Sequence, residues 1–532
     1  MGEWYASNTK FLTGSRVLGF RESPSSKFRE VIQLAPSNWD DYSFKTSFSV
    51  SLYDAKGQFI DFGNIKIGYK EQSSGWTKEK LPENFYSLPD GWFSLGQDVE
   101  YYKNIFDKLA PDFRIALLSA LRDVVVDESI LLAAREESVF KDSLMRSVSL
   151  SAIQGQFIRV LNGEVALTDF HFAYKQDGNE HNAAVELDFQ VKEASKPSTN
   201  LHVLIGRNGV GKTTLLNNMV RALLGIALPD QPEYNFFGRG ILNELTPLSS
   251  DYFSSVVSVS FSAFEPFLPP ADRIDRSLGL AYFYIGMKNA KAGQSADKRP
   301  PPKTDADLVN DFVNSFRSCL SQSAKRKRWL TAIKRLESDS NFAEMDLGRL
   351  LNLEDGEAVR RAGTMASRMS SGHSIVLLSI TKLVDTVEEK TLVLLDEPES
   401  HLHPPLLSAF TRALSDLLHS RNGVAIIATH SPVVLQEVPR SCVWKLTRIR
   451  TEGRSDRPER ETFGENVGIL TREIFGLEVS KSGFHEMLQR AVDTGGTFDS
   501  ILSDYEGQLG AEAKAVLLSL IAARDSDAAT QK

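Results

Sequence analysis

The run Gly206-Arg207-Asn208-Gly209-Val210-Gly211-Lys212-Thr213 holds the residues best suited to chemistry, and it matches the phosphate-loop pattern GxxxxGK[ST]. Glycines place no Cβ between backbone N–H groups and a phosphate oxygen. A helix expected to start near Lys212 adds the positive end of its dipole. Lys212 is then placed to reach the β- and γ-phosphates of a nucleoside triphosphate, and the Thr213 hydroxyl to hold Mg²⁺. Gly206, Asn208, Gly209, Gly211, Lys212, Thr213 and Thr214 form the candidate phosphate-binding set.

Two later stretches suit the same chemistry. Leu392-Val393-Leu394-Leu395-Asp396-Glu397 is an apolar strand ending in two carboxylates. A parallel sheet would carry both to its C-terminal edge, where ligands bind in such folds. Asp396 is the candidate Mg²⁺ ligand with Thr213, and Glu397 the group that polarises the attacking water. By itself this stretch reads equally well as a strand running into an acidic loop. Val424 to Thr429 is a second buried strand, and His430 follows it, in reach of a γ-phosphate. Lys212, Glu397 and His430 are the candidate catalytic residues.

The pattern around these residues predicts the elements that hold them. An apolar strand, Leu201 to Ile205, precedes the glycine loop, and an amphipathic helix, Thr214 to Leu224, follows it. Near the N-terminus Phe48, Val50 and Leu52 alternate with serines. Asp54 to Gly57 reads as a turn, and Ile65, Ile67 and Tyr69 form the return strand of a hairpin. Helices are expected over Pro111 to Val125 and Asp127 to Arg146, with Pro111 in a first turn and Asp127 as a cap. After Pro266 the chain reads as helical and polar, with a proline-rich linker from Asn289 to Thr304. The tail beyond 450 reads as mostly helical and frayed from Asp525. The division expected is an α+β extension at 1–155, core with phosphate loop at 156–268, a helical lobe at 269–368, core again at 369–450, and a helical region at 451–532.

Composition narrows the class. The 532 residues are 42% hydrophobic and 24% charged, ordinary for a folded chain of more than one domain. Two cysteines, Cys319 and Cys442, argue against a disulfide framework and fit a reducing, cytoplasmic setting. Neither a signal-peptide pattern nor an 18-residue apolar run is present, so no membrane partner is expected. A net charge of -8 repels nucleic acid in bulk. The basic run Lys325-Arg326-Lys327-Arg328 beside Trp329 is the one candidate for phosphate-backbone contact, with a solvated helix face as the blander expectation.

Taken in order, these motifs resemble the soluble branch of the ABC ATPases, which includes the SMC-like, DNA-repair and OLD-type heads. The likeness covers about 160 to 450. It implies an α/β head with a mixed sheet and helical lobe, and ATP and Mg²⁺ as cofactors. Met369-Ser370-Ser371-Gly372-His373 resembles the family signature LSGGQ, with Ser371 and His373 as departures. The family implies that Ser370 and Gly372 contact the γ-phosphate held by another subunit. A single phosphate loop and a single signature then imply a homodimer, or a higher even oligomer, with ATP in its interface. Glu397-Pro398-Glu399-Ser400-His401-Leu402-His403-Pro404 is similar to the OLD-like form of the loop that follows the acidic strand. Its two histidines raise a metal reading, but the loop offers no third ligand, and subunit contact is the better expectation. No glutamine loop is found; Ser262 or Glu265 could stand in for it at Mg²⁺. Phe172 or Tyr174 could stack on adenine, though core packing suits both better. The resemblance extends to the stand-alone ATPases of Septu-type and retron-associated antiphage systems. It implies an ATP hydrolase that switches a separate nuclease effector. A DNA-repair head and a slow ATP-gated scaffold are the alternatives.

Overall fold

The computed structural model describes residues 10–13, 29–163, 167–178, 183–193, 195–226, 234–239, 244–249, 252–261, 267–274, 280–289, 302–449, 452–480 and 483–530. Ser262, Glu265 and linker positions 290–301 lie outside them.

A seven-stranded sheet organises the centre. Its strands run Ala281–Gly286, Ser255–Ser260, Thr391–Asp396, Val424–Thr429, Leu201–Gly206, Val443–Ile449 and Glu452–Asp456 in spatial order. All neighbours are parallel except the last pair, which is antiparallel. Successive side chains alternate between two cores. Val203, Ile205, Val393, Leu395 and Ile427 join one, with the helices Ser371–Thr386 and Pro404–Arg421. Leu204, Leu392, Leu394 and Ile426 join the other, with the helix Lys212–Leu224 and Phe172, Phe189 and Phe236 of an antiparallel sheet. Burial on both faces explains why these strands read as continuous apolar runs.

Ala281–Gly286 corrects the expectation that the chain turns helical after Pro266. Its run Ala-Tyr-Phe-Tyr-Ile-Gly is aromatic and β-branched, a composition that favours a pleated, half-buried surface. It pairs in parallel with Ser255–Ser260 at the sheet edge. The lobe helices start only at Asp305, where Thr304 and Asp307 form a capping box.

The N-terminal region is a six-stranded sheet packed on short helices, with its own core. The expected hairpin joins Ser47–Tyr53 to Phe59–Tyr69, and Asp54 Oδ1 accepts from Lys56 N at 2.8 Å and Gln58 N at 2.7 Å. Asp127 caps a helix as expected, but that helix is only Glu128–Ala134. A second, Ser138–Asp142, and a tight turn at Leu144–Ser147 replace the single long helix. In the tail, Ala511–Thr530 is helical through most of the stretch expected to fray.

Buried ion pairs join the N-terminal region to the head. Asp98 caps the helix Val99–Lys108 and meets Arg328 Nη1 at 2.8 Å and Arg421 Nη1 at 3.3 Å. Against the burial that would raise it, the two guanidinium groups hold the Asp98 carboxyl at about 2. Asp98→Ala removes a cap and strands two buried cations. The expected loss is about 3–5 kcal/mol, read from the urea midpoint of unfolding. The carboxylate's contribution is intact above its unfolded value of 3.8 and fades as pH falls through about 2.

Candidate active site

The phosphate loop leaves the strand Leu201–Gly206 and enters the helix Lys212–Leu224 without a spacer. Gly209 and Gly211 hold φ of 80° and 96°, the left-handed region that favours glycine. A Cβ on Gly206 would stand 2.3 Å from the Leu446 carbonyl oxygen, so the close approach of the neighbouring strand needs glycine there too. Gly211 offers the helix no side-chain cap, which leaves its first-turn N–H groups to an anion. Thr213 and Thr214 lie in that first turn, and Asn208 on the loop.

The strand order brings the catalytic candidates together. Val424–Thr429 lies between the acidic strand and the phosphate-loop strand, so His430 emerges between Glu397 and Lys212. Lys212 Nζ donates to Gly206 O at 3.1 Å and Arg207 O at 3.3 Å, and it stands 2.6 Å from His430 Nε2. His430 Nε2 is 3.2 Å from Glu397 Oε1. Glu397 sits in left-handed backbone at φ 44°, which is costly for a non-glycine residue and clusters at functional sites. Its own N–H donates to Ala428 O at 2.9 Å, which pins the acidic strand end to the histidine strand. Glu399 Oε1 accepts from His430 N at 2.5 Å and fixes the histidine from below. Asp396, at the strand end, is buried at 6% exposure.

Burial and the adjacent Lys212 cation hold the His430 imidazole below its usual value, against Glu397 and Glu399. It is therefore neutral at pH 7 and can accept from the ammonium. Burial pushes Lys212 down to about 8, against the pull of Glu397, Asp396 and Glu399. A triphosphate would restore its proton. ATP affinity is then expected to weaken as pH rises above about 8, approaching tenfold per unit, with uptake of up to about one proton on binding. Calorimetry in buffers of different ionisation enthalpy measures that proton, and an uptake of zero at pH 9 would refute the assignment.

The residues fit ATP with Mg²⁺. A glycine cradle and an open helix end suit the phosphates, one lysine suits their charge, and the buried Asp396 carboxylate suits a hard cation that takes oxygen ligands. Arg448, which carries no motif, also stands by the loop: its Nη1 is 3.9 Å from where a Gly211 Cβ would be.

The signature helix is Ser371–Thr386, so Ser370 is its N-cap and is exposed. A Cβ on Gly372 would lie 2.5 Å from His401 O, which packs the signature onto the loop after the acidic strand. Ser370 Oγ is 2.6 Å from His373 Nδ1, and His373 Nε2 is 3.3 Å from Asp339 Oδ1. Asp339 escaped the sequence reading because it lies 34 residues from His373 in an unremarked helix cap.

Phe172 and Tyr174 pack in the core, the reading that suited both better: they are fully buried, Phe172 stacked on Phe189, so neither can face adenine. One expectation is corrected. The basic run is an internal joint instead of an open patch. Lys325 pairs with Asp385 at 2.7 Å, Arg326 with Asp355 at 2.5 Å and Arg328 with Asp98, while Trp329 is fully buried. Lys327 remains exposed. The run is paired because the lobe supplies Asp385 and Asp355 and the N-terminal region supplies Asp98.

Comparison with known proteins identifies relatives of the chain. Protein ea59 of Escherichia phage lambda is 46% identical over 514 residues, covering 92% of this chain and 95% of its own length. The chain belongs to the Ea59 family. Residues 226–436 of this Ea59 relative also match a family model described as "AAA domain, putative AbiEii toxin, Type IV TA system". That span holds the signature, the acidic strand and His430. The chain therefore carries an AAA-type ATPase domain. An ATP-binding cassette of an ABC transporter in its ADP conformation aligns at 14% identity, over 59% of this chain and 100% of its own, with a TM-score of 0.30. UvrA2 from Deinococcus radiodurans aligns at 14% identity, over 57% and 40%, with a TM-score of 0.28. Among the described residues no helix is long and apolar enough to cross a membrane.

Proposed function

We propose that the chain is an ABC-type ATPase that closes as a homodimer on ATP and Mg²⁺, and reopens on hydrolysis. The convergence of Lys212, His430 and Glu397 at one sheet edge carries this reading. Thr213 and Asp396 would hold Mg²⁺, which supplies charge neutralisation at the phosphates. Lys212 and the loop N–H groups bind and orient the triphosphate, with Glu397 beside His430 near the position of the attacking water. Glu397 takes that water's proton as it attacks the γ-phosphorus, and ADP leaves as its bond to the phosphoryl group breaks. Ser370 and the open end of its helix face solvent, as a contact to a sister subunit's γ-phosphate requires.

The closing motion is the output, and the N-terminal region clamped by Asp98 is the element that would pass it on. We assign the receiver as a separate nuclease, following the resemblance to antiphage ATPases. A relative carried by a phage fits a system turned on competing nucleic acid. The test is turnover by the purified chain together with its mass in solution. ATP should convert monomer to dimer, and ADP should not. A chain that stays monomeric with saturating ATP sinks the sandwich. One that dimerises without turnover is the scaffold.

A further inference from the structure

Three helix starts converge beside the signature. Asp339 caps the helix Ser340–Met345, its Oδ1 accepting from Asn341 N at 3.0 Å and Phe342 N at 3.2 Å. His373 is buried in the first turn of the signature helix, and His403 caps the helix Pro404–Arg421. His373 Nε2 stands 3.3 Å from Asp339 Oδ1, and His403 Nε2 3.2 Å from Asp339 Oδ2. One ligand atom from each residue lies within 4.8 Å of the others.

We propose that Asp339, His373 and His403 bind one divalent transition-metal ion, zinc by ligand chemistry. Two imidazole nitrogens and one carboxylate oxygen are the donor set of zinc sites that leave a fourth position open. His403 is 49% exposed on its side chain, which provides that position and an entry path. Each gap between imidazole nitrogen and carboxylate must hold a proton or a cation. Two protons would serve two separate hydrogen bonds, whereas one ion satisfies all three groups at once.

The surroundings already orient one ligand. Ser370 Oγ, 2.6 Å from His373 Nδ1, can accept that nitrogen's proton and leave the Nε2 lone pair for the ion. Asn341 Nδ2, 3.4 Å from Nε2, accords with a lone pair there. The opposing contact is Leu406 N on His403 Nδ1, a cap bond that metal binding would forfeit; at 3.4 Å it is long and weak. His401 belongs to no such site, its Nε2 standing 3.5 Å from Phe261 O. The histidine loop supplies only His403 to this cluster, and the other two groups come from other segments. With the ion bound, the Ser370 hydrogen is released from His373 and can be donated to a phosphate. That consequence rests on the dimer proposed above, while the metal site does not.

The test is a titration of the chelator-stripped full chain with Zn²⁺ by calorimetry, and with Co²⁺ by its visible absorption. One ion per chain is expected. His403→Ala and Asp339→Asn should each weaken it about 10²-fold or more, while His401→Ala leaves it unchanged. Circular dichroism shows whether each variant folds, and half-exposed His403 is the least disruptive to remove. Wild-type binding no tighter than that of folded His403→Ala overturns the site, as does an equal loss in His401→Ala. ATP-induced dimerisation, measured separately, decides the other reading.

Discussion

Glu397→Gln is expected to lower ATP turnover by about 10²-fold or more while ATP binding persists. The exchange keeps the size and the planar end of the side chain, so the left-handed turn and the bond from its N–H to Ala428 O should survive. It removes the negative charge that faces His430 and Lys212, and with it the oxygen able to take a proton. Binding depends on the glycine cradle and Lys212, which the change does not touch. If hydrolysis reopens the dimer, the variant should also accumulate as an ATP-held dimer, visible as a doubled mass. Single-turnover kinetics with nucleotide affinity separate the two steps. Normal turnover would remove Glu397 from the base role. Lost binding would mean that it shapes the cradle instead.

The second large effect concerns which chain supplies the signature. Lys212→Ala and Ser370→Arg should each abolish turnover alone: one loses the phosphate cation, and the other places a long side chain where a sister nucleotide must sit. Mixed one to one, they are expected to regain activity. A mixed dimer pairs the Ser370→Arg chain's intact phosphate loop with the Lys212→Ala chain's intact signature. Half of randomly paired dimers are mixed and each has one good site, so recovery has a ceiling of about a quarter of wild type. No fold in which both motifs serve a nucleotide within one chain can give this result. A mixture as inactive as its parts would argue against the sandwich, provided ATP still drives mixed pairing.

His373 holds Ser370 from inside the lobe, and His403 reaches the same carboxylate from the loop that follows Glu397. The residues proposed to cut ATP and those that would sense it across the interface therefore share a short structural connection, through His401 O against Gly372.

Motifs bound to one turn of backbone were legible in the residues alone. Glycine spacing marks the phosphate loop because glycine adopts positive φ without the clash a Cβ brings, and Gly209 and Gly211 do so. Apolar runs marked the central strands because both faces are buried. The strand Ala281–Gly286 was missed because its short aromatic run sits between polar stretches. The basic run was misread because charge shows in a sequence, and its partner does not.

Local chemistry was thus determined by the sequence: a cradle for phosphate, carboxylates at a strand end, a histidine after the next strand, a serine-glycine helix start. Placement was decided only by the tertiary structure. It put the histidine strand between the other two, brought Asp339 to His373 and His403, and turned Arg328 inward onto Asp98. The reason is physical: a turn's conformation depends on neighbours along the chain, whereas pairing of strands and burial of charge depend on residues tens or hundreds of positions away.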